Sequence, residues 1–258
     1  MRKDFVFGGL SMIRLILAFT FIFLFLIFTT PLMLFEAIIW KKHPQFHDKS
    51  SLAIVLWAFR VVLFICGTKI IVKGEENVPK DTAVLYAGNH LSYFDIVISY
   101  VRVPRPTGYI SKKEIGKIPL LNVWMKHLHC LFLDRDDVKQ GLKTILEAIE
   151  KAKNGISITI YPDGTRSKND DVVQPFKEGS FKVAQKAGVP IVPMTIVNSA
   201  DIFERHIPFI RKTTVILEYG EPIYIDQLDK ETQKTIGSYV HNIIETTYFK
   251  NRKELPTK

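Results

Sequence analysis

Cysteine is scarce in this sequence, which has two cysteines, Cys66 and Cys130, among 258 residues. They lie in separate apolar contexts and no second cluster of ligands accompanies either one, so neither a disulfide framework nor a zinc site is indicated. Internal repeats and low-complexity tracts are also missing. A chain without a disulfide framework fits a reducing, cytoplasmic setting.

Acidic residues are in the minority, with 26 Asp and Glu against 35 Lys and Arg, for a net charge of +9. More than half of this excess lies in residues 1–70, which hold eight basic and three acidic residues. No recognised nucleic-acid motif or interleaved stripe of arginine and aromatic residues accompanies the charge, so no nucleic-acid partner is expected. Basic residues beside hydrophobic helices favour the anionic cytoplasmic leaflet by about 1 kcal/mol each, which makes a membrane phospholipid surface the expected partner.

Charge is absent altogether from Leu15 to Phe35. As a helix, this run would extend about 32 Å, close to the thickness of a bilayer's hydrocarbon core. It is too long for the apolar part of a signal peptide, and no small-residue cleavage site follows it. Pro31 is expected to kink the helix or divide it. A second apolar stretch, from Ser51 to Thr68, contains Arg60 and is therefore expected at the membrane interface.

Residues 1–68 are thus predicted to form an N-terminal two-helix membrane anchor, a hairpin with its turn at Lys41–Pro44. A hairpin immersed in one leaflet and a pair of true spans both agree with the sequence. Either arrangement places the N-terminus and the rest of the chain on the same face. The positive charges predict that this is the cytoplasmic face of the cell membrane.

Beyond Lys69, short β-rich runs alternate with helices that have polar faces. This alternation predicts an α/β fold, a central, mostly parallel β-sheet flanked by helices over residues 69–250, with a flexible tail at 251–258. Strands are expected near 69–74, 83–88, 107–111, 131–134, 156–161, 191–197 and 213–219, and helices near 94–101, 119–128, 138–153, 178–187 and 228–249. In helix 138–153, the stripe formed by Leu142, Ile145, Leu146 and Ile149 is expected to pack into the core.

A histidine and an aspartate follow the predicted strand 83–88, within the segment Gly88–Asp95. A turn into a helix would let Asp95 reach back to the imidazole of His90. The carboxylate would then fix the tautomer and stabilise the imidazolium that forms when the other ring nitrogen takes a proton. Many histidines at strand ends only satisfy a hydrogen bond, and Asp95 has the alternative role of a charge in the first turn of a helix. The rest of the pattern favours catalysis.

A second segment, Tyr161–Ser167, follows the apolar run 156–160 and contains Pro-Asp-Gly-Thr-Arg. Its turn, its backbone donors and the guanidinium of Arg166 suit an anion, at the end of a strand where α/β proteins usually bind ligands. A general base beside a phosphate-binding loop predicts chemistry on a phosphorylated alcohol.

Over residues 70–220 the chain resembles the glycerolipid acyltransferase superfamily, and closely the bacterial 1-acyl-sn-glycerol-3-phosphate acyltransferases (lysophosphatidate acyltransferases). The motif blocks that carry the resemblance are Asn89-His90 through Asp95, then Lys112-Lys113-Glu114 with Ile118-Pro119 and Asp134-Arg135, then Tyr161–Ser167 with Phe176–Gly179, and finally Val189–Pro193. Blocks in this order and at compatible spacing are a strong signal, whereas His-x4-Asp alone is weak. Asp163 departs from the family's usual Glu, and Asn122 stands where a Gly often follows the Ile-Pro segment.

The resemblance implies a reaction and a set of site residues. A fatty acyl group passes from an acyl thioester, with acyl carrier protein or coenzyme A as its carrier, to the sn-2 hydroxyl of lysophosphatidic acid, which forms phosphatidic acid for phospholipid biosynthesis. His90 is then the general base and Asp95 its orienting partner. Substrate binding falls to Lys112, Asp163, Gly164, Thr165 and Arg166, with backbone amides near Gly164 or Gly179 as oxyanion donors. No cofactor and no metal is implied, and Asp134-Arg135 is expected to be an internal ion pair outside the site.

Three alternatives stay open at this point. The acceptor could be glycerol 3-phosphate or another lysophospholipid. A metal-dependent hydrolase would use His90 and Asp95 as ligands, although no further cluster of His and carboxylate residues at ligand spacing completes such a site. A non-catalytic membrane scaffold would bind lipid without making a product.

Overall fold

A seven-stranded sheet forms the centre of the computed structural model, which describes residues 2–255 of the chain and side chains from Gly9 onward. The strands are β1 (Lys69–Lys73), β2 (Leu85–Gly88), β3 (Thr107–Lys112), β4 (Leu131–Leu133), β5 (Ser157–Ile160), β6 (Ile191–Val197) and β7 (Thr214–Tyr219). Their order is β1-β7-β6-β2-β5-β3-β4. The five strands from β6 to β4 are mutually parallel, whereas β7 is antiparallel to β6 and parallel to β1.

Helices cover both faces of this sheet. They are α1 (Arg2–Phe28), α2 (Thr30–Lys42), α3 (Pro44–Cys66), α4 (Phe94–Tyr100), α5 (Leu121–His127), α6 (Val138–Lys153), α7 (Lys182–Ala187), α8 (Lys230–Lys234) and α9 (Ile236–Arg252). Successive side chains of a strand point to opposite faces, so Tyr86 packs with α3, α4 and α5 while Leu85 packs with α6, α7 and α9. Burial on both faces explains why the parallel strands are almost continuously apolar.

The uncharged N-terminal run is divided, as the proline suggests. Helix α1 ends at Phe28 and α2 begins at Thr30, with Pro31 in its first turn, where a missing N–H is tolerated. Both helices pack on α3, and the predicted turn occurs at His43. Between Gly9 and Phe28, and again along α3, the chain is long and apolar enough to cross a membrane by length and composition. The N-terminal apolar region therefore comprises three helices.

Helix α1 exposes much of its apolar surface. The side chains left at least half exposed include Ile16, Leu17, Phe19, Phe23 and Phe28, the last at 75%. An apolar surface of this extent is typical of a face that contacts lipid or another protein.

All seven predicted strands and the mostly parallel sheet are confirmed. Three details differ from the sequence-based expectations. The predicted helix 228–249 is two helices, α8 and α9, which meet at Thr235. The prediction for α6 is wrong in part, because Leu142 and Leu146 are 60% and 54% exposed and the buried residues are Thr144, Ala148, Ile149 and Ala152.

The third difference concerns the C-terminal tail, whose predicted start at residue 251 falls inside α9. Asn251 is fully buried and its side-chain amide donates to Glu218 Oε2 over 2.8 Å, while its oxygen accepts from Lys73 Nζ. This residue therefore belongs to the folded domain. Residues 256–258 of the predicted tail lie outside the described part of the chain.

The topology brings the predicted site residues to one edge of the sheet. Since β6, β2, β5, β3 and β4 run in the same direction, the segments that follow them share this edge, called here the carboxyl edge. Strands β1 and β7 run the opposite way and therefore begin at it. The segment after β2 lies between those that follow β5 and β6, where ligands of α/β proteins commonly bind.

Candidate active site

Strand β2 ends where the side chain of Asn89 takes over its pairing with β6. The amide nitrogen of Asn89 donates to the Ile196 carbonyl over 2.8 Å, and its oxygen accepts the Ile196 N–H over 2.9 Å. The residue before it is glycine, where a Cβ would lie 3.0 Å from the Met194 carbonyl oxygen, so β6 leaves little room for a side chain. These contacts fix the backbone from which His90 projects.

His90 and Asp95 are held together as the sequence predicts. His90 Nδ1 lies 2.8 Å from Asp95 Oδ2, which also accepts the backbone N–H groups of Leu91 and Ser92 over 2.7 and 2.8 Å. Because an ionised carboxylate accepts hydrogen bonds only, His90 Nδ1 is the donor in this pair and Nε2 carries the free lone pair. Asp95 is fully buried, whereas the His90 side chain keeps 17% of its surface exposed. The arrangement presents a basic nitrogen at the opening of the site.

The ring of Tyr161 supports the imidazole from one side. The two rings are nearly parallel, with centroids 4.3 Å apart and an interplanar angle of 16°. The hydroxyl of Ser99 donates to the Asp95 carbonyl over 2.6 Å and accepts from Tyr109 Oη over 2.8 Å, which anchors the first turn of α4. Burial raises the pKa of Tyr161 well above its usual value, so the phenol is neutral. Tyr161 was part of the motif that the sequence revealed, but its stacking on His90 was not predicted.

The second motif is joined directly to the first. The Ser167 N–H donates to the His90 carbonyl over 2.8 Å, and the His90 N–H donates to Asp163 Oδ2 over 3.0 Å. Gly164 adopts φ +76°, a left-handed conformation that favours glycine. The turn after β5 is thereby fixed against the segment that carries His90, and Thr165 lies exposed at its tip.

Asp163 occupies a buried position in this junction. Only 9% of its surface is exposed, and Oδ1 has no hydrogen-bond partner among the described residues. Burial raises the pKa of this carboxyl to about 7, although the His90 charge and backbone N–H oppose the shift. Since its contact is to the protein's own backbone, Asp163 holds the two motifs together. Its predicted role in substrate binding stays a prediction.

Three cationic side chains lie at or beside the Gly164 turn. Arg135 donates from Nη1 to the Gly164 carbonyl. Lys177 Nζ comes within 3.3 Å of the place where a Cβ on Gly164 would sit. The guanidinium carbon of Arg166 lies 3.6 Å from the centroid of the Tyr93 ring, a cation–π contact. Side chains from three segments therefore bring positive charge to the turn after β5.

Arg135 is a residue that the sequence-based reasoning misplaced. The expected ion pair with Asp134 is wrong, because Asp134 accepts from Lys113 Nζ over 2.7 Å while Arg135 contacts the Gly164 turn. Each half of the Asp-Arg pair thus has its own partner. Its place in the sequence, two residues after the end of β4, could have indicated that Arg135 lies at the carboxyl edge near the site.

Lys112 is exposed at the end of β3, and its side chain has no hydrogen bond or ion pair within residues 9–255. Its neighbour Lys113 is occupied by Asp134 and, over 3.7 Å, by Asp136. The predicted contribution of Lys112 to substrate binding is therefore compatible with a free ammonium group, and it stays a prediction.

The segment between β3 and α5 contains a γ-turn, close to Asn122, the position where the family often has glycine. The Leu121 N–H donates to the Pro119 carbonyl over 2.7 Å, which places Leu120 at φ 62° in the centre of a γ-turn. Asn122 Nδ2 donates to the Gly116 carbonyl over 2.9 Å. The departure at Asn122 is thus used to close the segment 116–122 at the carboxyl edge.

Glu204, from the segment between β6 and β7, contacts both motifs and was missed by the sequence-based reasoning. Its Oε2 accepts the Ser92 hydroxyl over 2.7 Å, and its Oε1 accepts the Tyr93 N–H over 2.7 Å. Arg166 Nη1 lies 3.4 Å from the same Oε1. One carboxylate therefore connects the start of α4 after His90 with the guanidinium of Arg166 in the turn after β5.

The backbone amides near the turn differ in their availability. The Gly164 N–H donates to the Tyr161 carbonyl over 3.0 Å, so it is occupied. The N–H groups of Thr165 and Arg166 have no acceptor in the part of the chain that the structure describes. These two amides are therefore available as donors.

Metal binding would be an alternative role for the side chains of His90 and Asp95. Within the described residues, no group of three or more His, Cys, Asp or Glu side chains is placed to hold a metal ion. His90 and Asp95 instead bond to each other.

The fold and the site define an α/β enzyme with an oriented imidazole beside a turn that several cationic side chains surround. A family model for acyltransferases matches residues 69–197, half of the chain. The 1-acyl-sn-glycerol-3-phosphate acyltransferase of Borreliella burgdorferi is 30% identical over 72% of this chain and 74% of its own length. The probable 1-acyl-sn-glycerol-3-phosphate acyltransferase of Mycoplasma pneumoniae is 32% identical over 83% of this chain and 82% of its own.

A solved structure is similar over its whole length. The crystal structure of the 1-acyl-sn-glycerophosphate (LPA) acyltransferase PlsC from Thermotoga maritima covers 100% of this chain and of that chain, with a TM-score of 0.82 and 25% identity. The chain therefore belongs to the acyltransferase family, and the resemblance seen in the sequence is confirmed.

Proposed function

We propose that this protein transfers a fatty acyl group from an acyl thioester to the sn-2 hydroxyl of 1-acyl-sn-glycerol-3-phosphate, which forms phosphatidic acid. The observation that carries the proposal is the hydrogen bond from the Ser167 N–H to the His90 carbonyl, because it joins the segment of the proposed base to the turn proposed to bind phosphate. The names of the Borreliella and Mycoplasma relatives support the acceptor.

His90 Nε2 takes the proton of the sn-2 hydroxyl as that oxygen attacks the thioester carbonyl carbon. Asp95, held at 2.8 Å from Nδ1, stabilises the resulting imidazolium. The tetrahedral intermediate collapses with cleavage of the C–S bond, and the leaving thiolate takes the proton from Nε2. General-base catalysis contributes about 10²–10⁴-fold to rates of this kind.

The developing oxyanion needs hydrogen-bond donors in a fixed place. The free N–H groups of Thr165 and Arg166 supply candidates, since the Gly164 amide is already occupied. The acceptor phosphate binds to Arg166, Arg135 and Lys177, whose charges converge on the turn after β5.

Membrane attachment is part of the proposal, with the catalytic domain on the cytoplasmic face of the cell membrane. The exposed apolar surface of α1 and the length of α1 and α3 support it. A lysophosphatidate has its headgroup at the interface, so an enzyme held there meets its substrate without extracting it into water.

The test is an acceptor panel with full-length protein in lipid nanodiscs. Lysophosphatidate, glycerol 3-phosphate and lysophosphatidylcholine are each offered with palmitoyl thioesters of acyl carrier protein and of coenzyme A. Phosphatidate from lysophosphatidate, at a higher kcat/KM than product from the other acceptors, supports the proposal and ranks the donors. A preference for either other acceptor, or no product from any pairing, contradicts it.

A further inference from the structure

The segment between β6 and β7, residues 198–213, ends in an exposed apolar tip. Two large apolar side chains are exposed at this tip, at the carboxyl edge: Ile207 is 65% exposed and Phe209 is 36% exposed. Arg211 and Lys212 follow after the buried Ile210 and are exposed as well. Apolar side chains next to unpaired cations form the pattern of a surface that enters the headgroup region of an anionic bilayer.

This tip is attached to the N-terminal helices. The Ile210 N–H donates to the Ser11 carbonyl of α1 over 3.4 Å. At the end of α3, a Cβ on Gly67 would lie 3.3 Å from Lys212 Cγ and 3.8 Å from the guanidinium carbon of Arg14. Leu10, the residue before Ser11, is 48% exposed. The apolar tip is therefore continuous with the exposed face of α1.

The same segment contacts the candidate active site through the side chain of Glu204. Its carboxylate accepts from the Ser92 hydroxyl and the Tyr93 N–H, two and three residues after His90, and lies 3.4 Å from Arg166. Glu204 is three residues before Ile207. A short stretch of chain therefore connects the tip with the residue that contacts both motifs.

We propose that residues 207–212 form a second membrane contact, separate from the helical anchor, that binds an anionic phospholipid surface and aligns the active site with the headgroup layer. Ile207 and Phe209 enter the interface, and Arg211 and Lys212 pair with lipid phosphates. Glu204 is a positioning residue that couples this contact to Ser92 and Arg166. The inference deepens the proposed function and rests on it for the kinetic part of its test.

The first arm of the test is fluorescence and does not depend on turnover. Cys66 and Cys130 are buried, so an environment-sensitive dye is directed to an introduced cysteine in the Ile207→Cys protein. The matched control is Leu146→Cys, at a residue 54% exposed on α6, which packs on the opposite face of the sheet from α3. The full-length proteins are reconstituted into vesicles of phosphatidylcholine with or without phosphatidylglycerol.

In vesicles that contain phosphatidylglycerol, the Ile207→Cys dye is expected to shift its emission to the blue and to lose most of its quenching by aqueous iodide. The Leu146→Cys dye should remain fully accessible. Equal iodide quenching at the two positions overturns the proposal. Shielding of the Ile207→Cys dye by acyl carrier protein, but not by lipid, also overturns it and makes the tip a protein-docking surface.

The second arm compares two ways of presenting lysophosphatidate. The double variant Ile207→Ser, Phe209→Ser should raise the KM several-fold for lysophosphatidate in anionic vesicles while leaving the rate with detergent-solubilised lysophosphatidate at the wild-type level. Leu146→Ser should change neither. Wild-type kinetics from the double variant in vesicles contradict the inference but leave the proposed function intact. If the wild-type protein makes no phosphatidate, the proposed function fails, and the dye measurement still decides the membrane contact.

Discussion

The backbone N–H of Ser167 donates a hydrogen bond to the backbone carbonyl of His90 over 2.8 Å. Seventy-seven residues separate the two positions in the sequence, and two neighbouring parallel strands, β2 and β5, bring them together. The segment that carries His90 and the turn after β5 are thus joined directly, and Asp163 adds a second link by accepting the His90 N–H. In the proposed mechanism, a base held at a fixed position relative to the substrate phosphate lowers the entropic part of the activation barrier.

Replacement of Asp95 by asparagine tests how the imidazole is oriented. In Asp95→Asn, the side-chain oxygen still accepts the N–H groups of Leu91 and Ser92, but the carboxylate that stabilises the imidazolium is lost. We expect kcat to fall by about 10²–10⁴-fold with little change in KM for lysophosphatidate. Steady-state kinetics in nanodiscs measure both constants, and an unchanged kcat would remove Asp95 from the mechanism.

Arg135 is predicted to contribute to binding of the acceptor phosphate. Loss of a charge-assisted hydrogen bond costs about 1.5–3 kcal/mol, so Arg135→Gln should lower kcat/KM roughly tenfold to hundredfold, mainly through KM. Arg102→Gln is the matched control, because Arg102 lies after α4 and pairs with Glu75 over 3.9 Å. Equal kinetic constants for the two variants would show that Arg135 stabilises the Gly164 turn and does not contribute to phosphate binding.

The sequence predicts the sheet and most of the site because these depend on local patterns. The strands are apolar runs of the right length, and His90, Asp95 and Arg166 lie in blocks with recognisable spacing. Glu204 could not be found in this way, since its contacts to Ser92 and Tyr93 span more than a hundred residues and no motif surrounds it.

Helix α6 shows a second limit of reasoning from sequence alone. Its apolar stripe predicts a buried face, yet Leu142 and Leu146 remain exposed while Thr144 is buried. Thr144 Oγ1 hydrogen-bonds to Gln140, and the Gln140 side chain donates to the Phe132 carbonyl and accepts the Asp134 N–H. Polar contacts to the end of β4 therefore determine which face of the helix is buried. The spacing of apolar residues along the helix does not predict such contacts.

Asp163 gives a prediction about pH. Its pKa of about 7 in the folded protein lies above the usual value of 3.8, so between these values the folded state holds a proton that the unfolded state has lost. Stability should therefore fall as pH rises through this window and level off above it, by roughly a few kcal/mol in total. Asp163→Asn keeps an acceptor for the His90 N–H and cannot titrate. Its thermal unfolding midpoint should depend less on pH than that of the wild type, and parallel pH profiles would contradict the assignment.

Asn89 is predicted to matter for stability as well as for the site. In Asn89→Ala, the N–H and carbonyl of Ile196 lose their partners inside the core, where an unpaired polar group costs about 1–3 kcal/mol. The unfolding midpoint should fall by several degrees. Asn154→Ala is the control, since its amide donates to the Glu150 carbonyl at an exposed helix end. A midpoint no lower than that of the control would contradict this account of how β2 ends.

The most direct test of the central claim is phosphatidate formation by His90→Ala beside His241→Ala, with lysophosphatidate and the preferred thioester in nanodiscs. His241 is a matched histidine on α9, and its Nε2 lies 3.0 Å from the Val173 carbonyl. If His90 is the general base, His90→Ala loses at least about 10³-fold in kcat while His241→Ala retains wild-type activity. Turnover by His90→Ala at a rate close to that of His241→Ala would contradict the mechanism.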